Sequence, residues 1–517
     1  MPDTKKTIAI SALAMSFATF LSRISGYIKD MVLAGFFGAS LVADTFFVAF
    51  RIPNLLRELF AEGSMSSAFI PVLTEYRTKR GEEEAKRIVR IVFTFILLVV
   101  GSIVLLGIFF SPIIVRLIAP GFIPLPEKFN LTVVLTRIMF PFLLFISLAS
   151  LLMGALNVKR VFFIPAFAPV MLNLSIILSV LTLSGYFEVP IIAVAVGVTL
   201  GGLLQFLFQV PSFFKNGYDL KIDRDFRHEA LKKISILLIP ATMAMAVSQI
   251  NIFVSTILAS FLKEGSITYL YYSMRMIQFP IGIFGVAMGM AVLPLFSEHA
   301  SKGEIGLLKK DFSFSLRLLF FITIPAMLGL IALRREIIEI LFERGRFTHQ
   351  DTLQTANALF YYSLGIWSIV GVRIMTAFFY SVQDTKTPVR IAMAGMLTNI
   401  IASLILMRFL EHSGLALANS IASWFNLTLL YYFLRKRFGS PGTRNIVVST
   451  LKTLIASFLM ALSVRFLYDL LVGPAGKVFS LFLAIAGGIG LYITITYILK
   501  SDELAFLMDT IKKRRQQ

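Results

Sequence analysis

Apolar residues in this chain gather into long uncharged runs, with neither the alternation of strands nor the charged outer face of a soluble helix. A helix needs about 20 residues to cross a ~30 Å hydrocarbon core. The runs over 91–115, 161–187, 189–214 and 234–262 satisfy this outright. With the more polar segments added, the pattern predicts spans near 8–29, 32–60, 91–115, 130–157, 161–185, 189–213, 234–262, 266–296, 312–333, 353–381, 388–409, 413–434, 447–469 and 478–499. No segment sustains the alternation of a membrane β-barrel. The expectation is an all-α integral membrane protein of fourteen transmembrane helices.

Loop charge orients these spans. Roughly thirty of the 49 Lys and Arg fall in the tails and in the connections after even-numbered spans, against about ten on the other side. Both termini are therefore predicted to be cytoplasmic. Lys5 and Lys6 precede an apolar run that continues into Arg23 and a further apolar segment. With no small-residue cleavage site standing out, this reads as a retained first helix rather than a signal peptide.

The two halves repeat. Ile70-Pro71-Val72-Leu73-Thr74-Glu75 matches Leu293-Pro294-Leu295-Phe296-Ser297-Glu298 at an offset of 223. Ala119-Pro120-Gly121-Phe122 and Glu343-Arg344-Gly345-Arg346-Phe347 end the apolar runs that follow. Asn173 falls opposite Asn399, and Ala195, Gly197 and Gln205 opposite Ala416, Ala418 and Asn426. Each repeat holds six spans, so both enter from the same side and are related by a pseudo-twofold axis along the membrane normal. The expected organisation is an N-lobe over 1–214, a cytoplasmic linker over 215–233, a C-lobe over 234–437, and two appended helices with a basic tail over 438–517. Two six-helix lobes around a cleft make a transporter architecture.

Composition agrees with the pattern. The 517 residues are 57% hydrophobic and 15% charged, with 50 Phe and a mean hydropathy of +0.83. A soluble domain lies nearer 45–50% and about 25%. The net charge of +20 would ordinarily suggest nucleic acid or an anionic membrane. Here most of it is topology, and no nucleic-acid partner is expected. Cysteine is absent from the sequence, which excludes disulfides, thiolate chemistry and Cys-ligated metal.

The informative charges are those inside spans: Arg23, Arg51, Arg57, Arg137, Arg275, Arg317, Arg373 and Arg465. Each costs roughly 2.5–3.5 kcal/mol at the bilayer centre on insertion scales. The alternatives for each are snorkelling, a buried ion pair, or a place in a polar cavity. Arg317 and Arg465 fit the first two better, Arg137 and Arg373 are balanced, and Arg23, Arg51 and Arg275 look deepest. At 100° per residue, Asp44, Arg51, Glu58 and Glu62 fall within about 40° of one another. Arg23 and Asp30 share a face, flanked by Lys29, so the stripe should line water or another lobe. Arg57 points about 140° from Asp44, with Pro53 disturbing the phase between them. Gly282, Gly285 and Gly289 form a small-residue stripe that permits either close helix packing or a bending point.

A cationic intramembrane cleft suits an anion, and guanidinium forks suit phosphate or pyrophosphate. A lipid-linked phosphate fits best, because a cleft open to the bilayer admits its acyl chain. No Walker A loop or H-E-x-x-H motif is present, and His228, His299, His349 and His412 are scattered. The chain reads as a transporter and not an enzyme, without cofactor, driven by an ion gradient or the membrane potential. Asn251, Ser255 and Asn399 are candidate ion ligands or helix-to-helix hydrogen-bonding groups.

Several strings carry a resemblance. They are Ser22-Arg23-Ile24-Ser25-Gly26-Tyr27-Ile28-Lys29-Asp30, Gly38-Ala39, the run Ala43-Asp44 through Arg51-Ile52-Pro53-Asn54 to Arg57, Phe60-Ala61-Glu62-Gly63 and Ala68-Phe69-Ile70-Pro71. Tyr272-Ser273-Met274-Arg275, Phe279-Pro280 and Phe379 to Pro388 support them. Together they closely resemble the MurJ/MviN family, lipid II flippases of the bacterial inner membrane in the multidrug/oligosaccharidyl-lipid/polysaccharide exporter superfamily, and the match runs essentially end to end.

The resemblance implies movement of undecaprenyl-pyrophosphate-linked disaccharide-pentapeptide to the outer leaflet by alternating access, for peptidoglycan biosynthesis and cell shape. It implies substrate contacts at Arg23, Arg51, Arg57 and Arg275, with Lys29 at a further basic position, and a role for Asp44; the charge pattern and the glycine spacing themselves make Asp30, Asp44, Glu62, Gly282, Gly285, Gly289 and Arg373 the cavity or gating candidates. It also implies a polyprenyl groove on spans thirteen and fourteen, and membrane lipids and wall-synthesis proteins as further partners. The family commonly has arginine where Lys29 stands, so charge persists there without the bidentate fork; Gln278 stands where some relatives carry Glu. The competing readings are a flippase for another undecaprenyl-linked glycan, a drug or cation antiporter of the same superfamily, and a non-transporting scaffold.

Overall fold

The computed structural model describes residues 2–58 and 64–515. Among these the chain is helical throughout: α1 Pro2–Phe37, α2 Leu41–Arg57, α3 Ser64–Arg80, α4 Glu82–Phe109, α5 Ser111–Ile118, α6 Pro126–Met139, α7 Pro141–Val158, α8 Phe163–Leu183, α9 Ile191–Lys215, α10 Glu229–Ser260, α11 Ser266–Pro280, α12 Ala287–Ser301, α13 Ile305–Ala332, α14 Arg334–Phe342, α15 His349–Ser363, α16 Ile366–Ser381, α17 Lys386–Phe438, α18 Thr443–Ala475, α19 Lys477–Ile498 and α20 Asp502–Arg515. A π-helical turn, Ile281–Val286, joins α11 to α12.

Ten stretches among the described residues are long and apolar enough to cross a membrane. The protein is a multi-pass membrane protein. The sequence pattern predicts fourteen spans, and the difference has identifiable causes. Spans eleven and twelve are two helices that meet directly at Glu411, with no loop between them, and are numbered together as α17. Spans one and two, α1 and α2, carry the ionised residues Arg23, Lys29, Asp30, Asp44, Arg51 and Arg57. Span seven, 234–262, falls partly outside the residues described in full, and the described apolar stretch of α10 is Gln249–Ser260.

Two compact units form. The first comprises Met1–Thr268 with Arg344–Phe347, the second Tyr269–Glu343 with Thr348–Gln517. By its contacts the first unit extends past the linker over 215–233 to Thr268. α10, which the sequence assigns to the second lobe, groups with the first unit. The reason lies in its contacts. Gly121 N–H donates to Ser260 Oγ at 3.0 Å, and Gln249 Nε2 to Glu58 Oε2 at 2.5 Å.

The linker is clasped by charge. Arg90 forks onto Asp219, with Nε donating to Oδ1 at 2.6 Å. Arg87 reaches Asp225 at 2.9 Å, Arg80 reaches Glu229 at 3.2 Å, and His228 Nε2 lies 2.9 Å from Glu84. Lys233 donates to Glu75 at 2.5 Å. Single exposed pairs contribute ~0–1 kcal/mol, so the clasp acts as a network. The hydrogen bond from Lys233, reinforced by Lys79, holds the Glu75 carboxyl down at about 2. Arg90 likewise lowers Asp219.

Close backbone approaches fix the remaining geometry of the first unit. A Cβ on Gly121 would lie 2.3 Å from the Ser260 carbonyl oxygen, and one on Gly345 only 2.2 Å from the Gly35 carbonyl oxygen. Gly345 also sits at φ +56°, which favours glycine. Ser175 Oγ donates to the Gly197 carbonyl at 2.9 Å, joining α8 to α9, and Asn173 of α8 holds Ser22 and Ser25 of α1. Lipid tails are as apolar as leucine, so such packing and hydrogen bonds, rather than water exclusion, supply the association energy. In the second unit α18 and α19 pack on α13 around Phe321, Met460, Val464 and Tyr492, and Tyr492 donates to the Phe321 carbonyl at 2.7 Å. Outward residues such as Leu105, Phe109 and Ile498 are exposed and apolar, as a lipid-facing surface requires.

Glu75 and Asp219 both have depressed pKa values, so their contribution is full above their ordinary values of 4.5 and 3.8 and is lost as pH falls through the folded values, about 2 for Glu75. Amide exchange across 215–233, corrected for intrinsic rate, should be flat from pH 5 to 8 and accelerate below about pH 4. Asp219→Asn should raise the exchange already at neutral pH.

Candidate functional site

α2 begins at Ser40, whose side chain accepts from the Ala43 N–H, and runs through Pro53 without interruption. Its first turn carries Asp44, which is 1% exposed. Its carboxylate receives four donors: Lys128 Nζ at 3.2 Å, Gly265 N–H at 2.9 Å, Thr268 N–H at 3.0 Å and Thr268 Oγ1 at 2.8 Å. It caps the first turn of the helix opening at Ser266, while Glu264 accepts from the Leu41 N–H at 2.5 Å in the reverse sense. Asp44 therefore departs from the water-lining stripe expected of α2 and is a buried, fully engaged anion. Burial of a carboxylate is tolerated only with such pairing.

Lys128, which sequence reasoning assigned to an outer connection, is the other half of this centre. It is 4% exposed, and its ammonium also lies 4.3 Å from the Phe122 ring centroid. The available signal was its rarity, since outer connections carry few cations and an unforced lysine there needs a reason.

Arg51 is half-buried, and its Nη1 donates to Thr256 Oγ1 of α10. It is the charged member of an otherwise apolar cleft of about 380 Å³ lined by residues such as Leu55, Ile103, Leu106 and Phe110. Arg57 Nε donates to Asn54 Oδ1 at 3.1 Å, and its Nη2 lies 3.7 Å from Glu58. Glu58 in turn accepts from Asn54 and Gln249, so the end of α2 is a linked polar cluster. Glu62 lies outside the described residues.

On α1, Lys29 pairs with Asp30 at 3.1 Å, both buried, while Arg23 is exposed. Lys29 and Asp30 thus neutralise each other locally, and Arg23 is the more accessible of the two cations.

The second unit holds Arg275, half-buried on α11, five residues before Pro280 and the π-helical turn. That turn contains Gly282 and Gly285. A Cβ at Gly285 would meet Val370 at 2.5 Å, and Arg373 lays its aliphatic stem against Gly285 and Gly289. The stripe is a packing surface for α16 and also the place where helical regularity changes, a feature that recurs at functional sites.

Other span arginines have structural partners. Arg137 Nε donates to Ser111 Oγ at 2.9 Å, Arg317 reaches Glu503 at 2.9 Å, and Arg465 pairs with Glu336 and Asp469. These fit the ion-pair alternative raised for Arg317 and Arg465. Arg23, Arg51 and Arg57 sit in the first unit and Arg275 in the second.

Comparison with known proteins follows this geometry. A family model described as "Lipid II flippase MurJ" matches residues 33–487. A protein of Vibrio cholerae described as a probable lipid II flippase MurJ is 38% identical over 433 residues, covering 82% of each chain. The lipid II flippase MurJ of Burkholderia cenocepacia is 35% identical over 429 residues, 82% of this chain and 83% of that one. A solved structure of lipid II flippase MurJ in an inward closed conformation superposes with a TM-score of 0.78 at 31% identity, covering 95% of this chain and 99% of that one. An inward-facing multidrug-resistance MATE transporter shares the fold at a TM-score of 0.68 and 14% identity, covering 84% and 99%.

Removing the Asp44 charge leaves the Lys128 ammonium buried and uncompensated. Asp44→Asn should cost about 3–5 kcal/mol, read as a lowered unfolding temperature in detergent. Lys128→Met in that background should restore part of the loss. An unchanged melting curve for Asp44→Asn would mean the pair is not what holds α2.

Proposed function

The chain belongs to the lipid II flippase MurJ family, and from that membership we propose that it carries lipid II from the cytoplasmic to the outer leaflet of the bacterial inner membrane. It is then a transporter and not a catalyst of a chemical reaction. The observation that carries this reading is the match over residues 33–487 together with 31% identity across 95% of the chain to a solved flippase.

In this reading Arg23, Arg51, Arg57 and Arg275, with Lys29, hold the pyrophosphate during alternating access. Guanidinium groups offer planar two-point hydrogen bonds to phosphate oxygens, while the ammonium at position 29 supplies charge alone. Arg317 and Arg465 are left out of this assignment because carboxylates, Glu503 for the first and Glu336 with Asp469 for the second, already meet their charges, and Arg137 because it is held by Ser111. Fourteen helices in two six-helix repeats with two appended helices, and both termini cytoplasmic, complete the proposal. Supporting the repeat, Gly121 against Ser260 and Gly345 against Gly35 are the same kind of contact, displaced by 224 and 225 residues. The reciprocal caps at Asp44–Thr268 and Leu41–Glu264 fall in the same register. Transport draws on the membrane potential or an ion gradient.

In cells depleted of their own flippase and complemented with this chain, outer-leaflet exposure of labelled lipid II should return. Each charge-assisted hydrogen bond lost contributes roughly 1.5–3 kcal/mol, so Arg23→Ala and Arg275→Ala should each reduce exposure at least about tenfold at equal membrane abundance. Normal exposure in both variants would refute the site, and failure of the wild-type chain would refute the function.

A further inference from the structure

A second site lies at the turn between the two halves of α17. Glu411 there has φ 50° and ψ −130°, a conformation almost confined to glycine, where the two helices meet. Holding a non-glycine residue in such a region is unfavourable, and it persists only where its surroundings enforce it. They do so here. A Cβ on Gly414 would come 2.4 Å from the Leu406 carbonyl oxygen, so the chain reverses as tightly as a backbone can. The next residue, His412, is 3% exposed, with Nε2 3.1 Å from the Gln354 carbonyl oxygen and its ring 5.1 Å from that of Tyr269. Tyr269 is itself fixed by donating to Asp351 at 2.8 Å.

This rigid reversal forms one wall of a pocket of about 450 Å³. The volume lies within the range of about 300–1,000 Å³ usual for small-molecule sites. On the opposite wall, Gln354, Asn357 and Tyr361 share one face of α15 at three-four spacing. Among the described residues neither side-chain amide, Gln354 nor Asn357, has a protein hydrogen-bond partner. Arg334 lies with its guanidinium 5.4 Å from the Phe360 ring centroid, and Phe409 stands 78% exposed at the rim. One arginine set against one carboxylate gives no excess of either sign, so neither a phosphate nor a metal cation is favoured. Paired amides that both donate and accept, beside aromatic faces, match the alternating hydroxyl, amide and C–H surfaces of an N-acetylated sugar.

We propose that this pocket of the second unit binds a saccharide bearing N-acetyl groups, through Gln354, Asn357 and Glu411 with Tyr361 and Phe409 as stacking surfaces. The outer placement of this pocket rests on the topology proposed above; the binding itself does not. Two sources present this chemistry on the outer side: the glycan headgroup of a lipid carried across, and free wall glycan.

The test uses the purified full chain in lipid nanodiscs, titrated with a soluble N-acetylglucosamine tetrasaccharide and, separately, with lipid II included in the disc, with saturation-transfer NMR as the readout. Saturable binding of the soluble sugar supports the wall-glycan source. Transfer to the sugar protons of lipid II alone supports the carried headgroup. In either arm Asn357→Ala, an exposed position, should weaken the signal about tenfold. Glu411→Gly should weaken binding while raising the unfolding temperature, because glycine relieves the strained backbone. Absence of saturable binding in both arms, equal binding by Asn357→Ala, or a lowered unfolding temperature in Glu411→Gly would overturn the proposal. Leaflet exposure of lipid II measured on the same variants separates the two readings, since loss of this site with exposure intact leaves the flippase function standing.

Discussion

In a bilayer an ion without partners has no solvent to fall back on, and the first unit is organised around meeting that demand at Asp44. Four donors from two separate segments converge on one carboxylate: Lys128 in the first turn of α6, and the backbone and hydroxyl of residues 265–268. The Coulombic attraction of Lys128 and the hydrogen bonds together offset a desolvation cost of several kcal/mol. Each donor is useful only if the others are present, because a half-satisfied buried anion is worse than none. α2, the first turn of α6 and the start of α11 are therefore fixed as a set. The reverse cap from Glu264 to Leu41 adds to the same arrangement.

The remaining intramembrane charges sort by the same criterion. Arg137, Arg317 and Arg465 spend their donors on Ser111, Glu503, Glu336 and Asp469, and so pin helices to one another. Arg23 remains exposed on α1, and Arg51 lines an apolar cleft and donates to the Thr256 hydroxyl. Cations within spans are costly to retain, and that cost is the physical basis of the substrate role proposed for them. The glycine stripe over 282–289 shows packing and irregularity together, since the residues that let α16 approach closely also leave the helix free to adopt a π-helical turn.

The linker illustrates where reading by charge count fell short. Its lysines and arginines mark the cytoplasmic side, yet its carboxylates Asp219, Asp225 and Glu229 carry the tertiary information, each meeting a basic residue of α3 or α4. Those partners lie about 130 to 150 residues away in sequence, beyond any local periodicity. α10 follows the linker into the first unit for the same reason, and the span boundary at 234 gives no hint of it.

Hydrophobic runs determined on their own that this is a helical membrane protein, because only long uncharged helices satisfy their backbone within a hydrocarbon core. The repeat at an offset near 223 and the strings around Arg23 and Arg51 likewise belonged to the sequence, since both rest on residue identity in order. Tertiary structure alone decided that Asp44 is buried against Lys128 and not exposed to water, and that the turn between the two halves of α17 holds Glu411 at φ 50°. Helical phase assigns a residue to a face. What that face meets depends on distant segments, and in a low-dielectric interior the identity of that partner determines whether a charge holds the fold together or waits for a ligand.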